Sequence, residues 1–209
     1  MLLDVLYWVG IAAGVLAGLI LLIALAGLFF AKAHVVSRSL PLQQTPETVW
    51  QAVSDFASVP SWWGMVTKAE QPNKDEPDVW RETYTGNYGI RLRTTESTPP
   101  KRLVRTIADE KGPFRGCWEY DIVPKEQGST ITITEHGEIP NPFFRFMARM
   151  FMDPAMYLEL YLKALAKKFN ETAVPEKPVA KQPAPTDNTA KTSEAENQPA
   201  ANQETRMQP

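Results

Sequence analysis

From Val5 to Ala31 the chain runs for 27 residues without a charged side chain. A helix of about 20 apolar residues crosses the hydrocarbon core of a bilayer, so this stretch is long enough to span with tilt. Tyr7 and Trp8 lie near one end, and Phe29, Phe30 and Lys32 near the other. Amphipathic rings and a lysine with an apolar stem suit the two interfaces. A cleaved signal peptide is the competing reading, because Ala31-Lys32-Ala33 spaces small residues suitably. That reading wants a basic start and a shorter apolar core, and Asp4 stands where the basic residues would be. The expectation is a single-pass transmembrane helix over residues 5–31, with the lipid bilayer as its partner. Lys32 and Arg38 follow the run and no lysine or arginine precedes it, so the positive-inside rule puts the remainder on the cytoplasmic side.

Gly10, Gly14 and Gly18 recur every four residues along this helix, which lets two helices approach closely and form a homodimer. Glycine is also common in membrane helices, so the stripe is equally compatible with no contact at all.

At the other end, residues 171–209 are rich in Pro, Ala, Gln, Thr, Lys and Glu and hold no aromatic residue. Such a composition cannot build a core, and the expectation is a disordered tail. Between the two lies one ordinary domain's length of chain, residues 34–170. From Ala33 to Asn170 there are 17 lysines and arginines against 17 aspartates and glutamates. That balance lacks the basic footprint a nucleic-acid partner needs. The single cysteine, Cys117, cannot close an internal disulfide.

Val35–Leu42 reads as a first strand. Thr45-Pro46 is a helix cap followed by proline at the first helical position, opening a short helix with Val49, Trp50 and Val53. A second short helical stretch, Ser54–Trp63, is interrupted by Pro60. Six strand candidates follow at 66–71, 79–84, 89–95, 102–108, 117–123 and 130–139, separated by turn formers such as Gly86-Asn87, Pro99-Pro100 and Gly128. Asn141-Pro142 opens a final helix that runs to about Asn170, and Asp153-Pro154 repeats the start signal in mid-course, predicting a kink or a break there. The pattern is α+β: an antiparallel seven-stranded sheet with a long C-terminal helix.

That order resembles the START-like, polyketide-cyclase (SRPBCC) superfamily of helix-grip proteins. The opening LPLQQTPETVWQAVSDFASVPSWW is similar to the family's strand, Pro-Glu-x-Val-Trp helix and Pro-x-Trp turn. The stretch from Arg102 to Phe151 looks closer still to the cyclase/dehydrase-like branch. The resemblance implies a helix-grip fold with a hydrophobic cavity for a lipid, polyketide, sterol or quinone-like molecule, in members that range from carriers to cyclases. It brings no universal catalytic motif.

Alternation in 117–123 puts Trp118, Tyr120 and Ile122 on one face, and in the next strand Ile131, Ile133 and Glu135 share a face. With Pro124–Ser129 as the hairpin loop, Ile122 opposes Ile131, Tyr120 opposes Ile133 and Trp118 opposes Glu135. Glu135 is then the one acid in an apolar inward row. It either meets an arginine, with Arg91, Arg93, Arg105 and Arg145 as candidates, or has its pKa raised toward acid/base use; the favoured reading is the structural one, an ion pair or a polar end to the strand near the cavity mouth. The same register sets Cys117 opposite His136 on the outer face, where a nucleophile has no pocket. His34 falls at the membrane surface. No zinc-ligand spacing, GxSxG, GxGxxG or P-loop is present, so neither metal nor cofactor is expected.

The first half of the final helix is apolar on nearly every side, a surplus that fits the core, a ligand, the bilayer or a second copy. Candidate ligand-lining residues are Trp63, Trp80, Tyr84, Trp118, Tyr120 and Ile133, together with Glu135, Met147, Met150, Tyr157 and Tyr161. The favoured expectation is a noncatalytic, membrane-anchored module that binds an apolar small molecule between sheet and C-terminal helix. The alternative is a cyclase or dehydratase using Glu135 and Tyr120.

Overall fold

The computed structural model describes residues 1–109 and 112–178; the remainder of the expected tail, residues 179–209, lies outside them. Helix α1 spans Leu2–Gly27. It is long and apolar enough to cross a membrane, and its side chains are exposed along nearly its whole length. It ends four residues before the apolar run does, because the chain turns at Leu28–Phe30 to enter the domain.

Strand β1 (Ala33–Leu42) leads to α2 (Pro46–Ser54), which the Thr45 hydroxyl caps by accepting from the Thr48 N–H. A 3-10 turn at Phe56–Ser58 runs into α3 (Val59–Trp62). Pro60 does not interrupt this stretch: it sits in the first turn of α3, where no backbone N–H is needed. The strands β2 (Val66–Glu70), β3 (Val79–Tyr84), β4 (Tyr88–Thr98), β5 (Arg102–Ile107), β6 (Arg115–Pro124) and β7 (Ser129–Glu138) follow. All seven form one antiparallel sheet in the order β1-β7-β6-β5-β4-β3-β2. The meander pairs neighbours in sequence, and β1 closes it against β7.

The final helix is two helices, α4 (Pro142–Phe151) and α5 (Pro154–Lys168). Met152 and Asp153 between them are extended, and the Asp153 carboxylate accepts from the Ala155 N–H at 2.9 Å, so a fresh cap starts α5 with Pro154 in its first turn. The core lies between the sheet and α5, where Leu158, Leu162 and Leu165 pack with Leu40, Ile131 and Ile133, all almost wholly buried. Arg38 of β1 ties α5 to the sheet edge through Glu159 at 2.8 Å.

Residues 171–178, expected as the start of the tail, are held to this body. Ser39 and Glu176 exchange two backbone hydrogen bonds, at 2.8 and 2.9 Å, and the Glu171 carboxylate accepts from Gln43 and Gln44. Backbone pairing with the free edge of β1 needs no aromatic residue, which is why composition gave no sign of it.

Candidate functional site

The inward row of β6 and β7 has the register that counting from the hairpin predicts: Ile122 against Ile131, Tyr120 against Ile133, Trp118 against Glu135. Along this row the space between sheet and helices changes character.

At the Tyr120 end it is filled. Trp63 and Tyr161 meet edge to face at 4.8 Å, and Trp62 and Tyr120 also pack on Tyr161. Beneath these rings lies an ion pair that sequence reasoning did not find, Arg105 of β5 with Glu82 of β3, both almost fully buried. Tyr84 donates its hydroxyl to the second Glu82 oxygen at 2.9 Å, and the Arg105 guanidinium lies 3.8 Å from the Phe56 ring centre. About 20 Å³ of space remains among these groups. The signal was present in β3, where alternation puts Glu82 on one face with Trp80 and Tyr84.

At the Glu135 end the space opens into a cavity of about 690 Å³, within the range of small-molecule sites. The sheet contributes Val36, Ile90, Ile107 and Trp118; the helices contribute Ala148 and Tyr157; the segment joining α1 to β1 contributes Phe29 and Phe30. Glu135 is partly buried in this wall. One oxygen accepts from Trp118 Nε1 at 3.0 Å and the other is hydrogen-bonded to His34 Nε2 at 3.1 Å. His34 reaches it across the sheet because its strand neighbour is Gly137, where a Cβ would overlap the imidazole ring. His34 is therefore part of the cavity wall. Pairing of β1 with β7, which sequence alone left open, is what brings it there.

None of the four arginines offered as partners binds Glu135. Arg91 and Arg93 alternate with the inward Ile90 and Leu92 and pair with Glu76, Asp78 and Asp109 on the other face. Arg105 is held by Glu82. Arg145, 5% exposed, donates to four backbone carbonyls: Ile139 and Pro140 beside it, and Gly27 and Phe30 at the end of α1, at 2.8 to 3.2 Å.

Of the residues the sequence singled out, Tyr84, Trp118, Glu135 and Tyr157 line the open cavity. Trp63, Tyr120, Ile133 and Tyr161 lie with Tyr84, Trp118 and Tyr157 around the filled end. Trp80 is half-buried, edge-on to Phe56. Met147 is half-buried and Met150 exposed on α4, and neither lines the cavity. Gly10, Gly14 and Gly18 have open space where a side chain would project.

Burial is the chief cause that raises the tyrosine pKa values here. Tyr120 is pushed up to about 12, and Tyr84, Tyr157 and Tyr161 also rise, with the Glu82 charge adding to burial in each. These phenols are neutral hydrogen-bonding groups at ordinary pH. On the outer face Cys117 does lie opposite His136, whose Nε2 is 3.5 Å from Glu119. Burial, and then the Glu119 charge, raise the Cys117 thiol, which keeps it protonated and a poor nucleophile. Among the described residues no cluster of three or more His, Cys, Asp or Glu side chains is arranged to hold a metal ion.

Residues 33–170 match a family model described as polyketide cyclase / dehydrase and lipid transport. The chain belongs to this family. The family's domain begins with β1 and ends just after α5, so α1 and the turn that Arg145 grips lie outside it. No curated protein matches the chain significantly. Among solved structures, a conserved protein of Geobacillus kaustophilus is similar at 17% identity and TM-score 0.55, covering 68% of this chain and 99% of its own. A START superfamily protein of Mycobacterium smegmatis matches at 19% identity and TM-score 0.51, covering 66% of this chain and 97% of its own. Norcoclaurine synthase of Thalictrum flavum, a point mutant with a transition-state analogue, matches at 11% identity and TM-score 0.53, covering 65% of this chain and 93% of its own. At these identities the likeness is one of fold: this polyketide cyclase / dehydrase and lipid transport family member has a START-type domain.

Proposed function

We propose that the protein is a membrane-anchored module that binds an apolar small molecule, such as a lipid, polyketide or quinone-like compound, in the 690 Å³ cavity between sheet and C-terminal helices. The observation that carries this reading is the cavity itself. Its walls are largely apolar, and one carboxylate among them, Glu135, is partly buried and held by Trp118 and His34. Apolar walls supply the affinity and a few fixed polar groups orient the ligand. Anchoring by α1 is supported by its length, its lack of charge and its exposed side chains. The family description, which covers lipid transport as well as cyclases and dehydrases, fits the same reading. Binding is favoured over catalysis because Tyr120, the proton-transfer partner that the sequence offered for Glu135, does not line the cavity.

Native mass spectrometry of the full chain purified in mild detergent, with extraction of what co-purifies, tests the proposal. An apolar compound bound to wild type and diminished in Ile107→Trp, whose larger ring intrudes on the cavity, is the expected result. If wild type carries no such compound, and takes up none from a total lipid extract, the binding reading fails.

A further inference from the structure

Helix α4 is inverted relative to an ordinary surface helix. Such a helix buries its apolar stripe and exposes its charges. The buried residues of α4 are Arg145 and Ala148. At about 3.6 residues per turn, Phe143, Phe144, Phe146, Met147, Met150 and Phe151 fall on the remaining side, away from Arg145 and Arg149. Phe151 is 76% exposed and Met150 58%, and no described element covers them. Met152 and Met156 extend the same surface past the break. An apolar face of this kind on one helix needs an occupant.

The joint with α1 says which. Helix α4 packs on the last turn of α1: Gly27 is buried against Pro142, closely enough that a Cβ would overlap the Pro142 carbonyl. Phe30 and Phe146 have ring centres 6.1 Å apart. Arg145 fastens the two by donating to the Gly27 and Phe30 carbonyls, the first of which also accepts from the Phe30 N–H as the chain turns out of the helix. A helix clamped to the final turn of a bilayer span must sit at the edge of the hydrocarbon core.

We infer that α4 lies in the membrane interface, with its phenylalanine and methionine face in contact with lipid. This rests on the anchoring role proposed for α1. An interfacial helix buries its apolar side about 5–10 Å into the boundary between headgroups and acyl chains, and the bulky, flexible side chains of α4 suit that fluid surface. Phe29, Phe30, Ala148 and Met152 line the cavity and belong to these same segments. The cavity therefore shares its wall with lipid-contacting elements, and an apolar ligand has a route that avoids bulk water.

Site-directed spin labelling of the full chain tests the inference. In a Cys117→Ser background, single labels are placed at Leu16→Cys in α1, Phe151→Cys in α4 and Val123→Cys on β6. The protein is reconstituted in vesicles of phosphatidylcholine and phosphatidylglycerol. Accessibility to oxygen, which concentrates in lipid, is compared with accessibility to a water-soluble nickel chelate. The expected result is an oxygen-to-nickel ratio several-fold higher at positions 16 and 151 than at 123. If 16 is lipid-like while 151 matches 123, the inference fails and the anchor stands. If 16 is aqueous, both fail. If 151 is shielded from both reagents and shows dipolar broadening, a second copy covers α4 and the inference fails. Met150→Cys repeats the measurement should Phe151→Cys fold poorly.

Discussion

Helices α4 and α5 follow one another across a two-residue break and dispose of their apolar side chains in opposite ways. In α5 Leu158, Leu162, Leu165 and Tyr161 point into the domain and the lysines point out. In α4 Arg145 points in while Phe144, Met150 and Phe151 are exposed. The space beneath follows suit. Under α5 it is filled by rings and leucines around the Glu82–Arg105 pair; towards α4 it is hollow, and Glu135, partly buried in its wall, is held by an indole and an imidazole. The contrast teaches that burial of apolar surface, the main driving term in water, organises only the α5 half. The α4 half is held by directed hydrogen bonds from Arg145 and presents its apolar surface outward.

If this contrast is right, substitutions under α5 are the costly ones. Glu82→Ala leaves Arg105 charged and unpaired in the interior and is expected to lose about 3–5 kcal/mol of stability, measured by chemical denaturation in detergent. Replacing both partners with apolar residues, Glu82→Leu with Arg105→Met, is expected to recover most of that. A loss under about 1 kcal/mol for Glu82→Ala would mean that the α5 end is looser than described.

The tyrosines give the same end a pH signature. Tyr120 titrates at about 12 in the folded chain against 10.0 when unfolded. The folded state holds its proton longer, so this contribution to stability is complete below pH 10 and is lost as the pH rises from 10 to 12. Tyrosinate absorbance from the buried tyrosines should appear in step with loss of tertiary circular dichroism; its appearance well before unfolding would contradict the filled interior.

At the α4 end the effects should be smaller and local. Arg145→Met removes four hydrogen bonds and is expected to cost roughly 1–3 kcal/mol, read as faster amide exchange at Leu28–Phe30 with α5 unchanged. Equal acceleration throughout both helices would erase the distinction between them. The smallest effect is expected for Phe151→Ala, within about 0.5 kcal/mol, against about 2–5 kcal/mol for Leu162→Ala in α5. Equal losses at the two positions would show that something within the domain covers Phe151.

Much of the architecture was legible because it is written in local signals. Two caps followed by proline opened α2 and α4, Asp153-Pro154 marked the break, and turn formers delimited the strands. The β6–β7 register followed from one hairpin. The contents of the cavity wall were less legible. His34 reaches Glu135 only through the pairing of β1 with β7, which joins residues 101 apart in sequence. Arg145 looked like a partner for an acid because arginines commonly are, yet its acceptors are main-chain carbonyls, which no residue type announces. Glu82 was visible between Trp80 and Tyr84, but its partner comes from β5, two strands away across the sheet.

The joint at Gly27 has a consequence for the alphabet of α1. At Gly10, Gly14 and Gly18 nothing lies within 4 Å of an added Cβ within the chain itself, and any small apolar letter fits there. Position 27 admits a single letter, because every other side chain begins with the atom that the Pro142 carbonyl excludes. A helix that otherwise asks only for apolarity thus carries one fully specified character, at the point where its spelling has to agree with that of the domain.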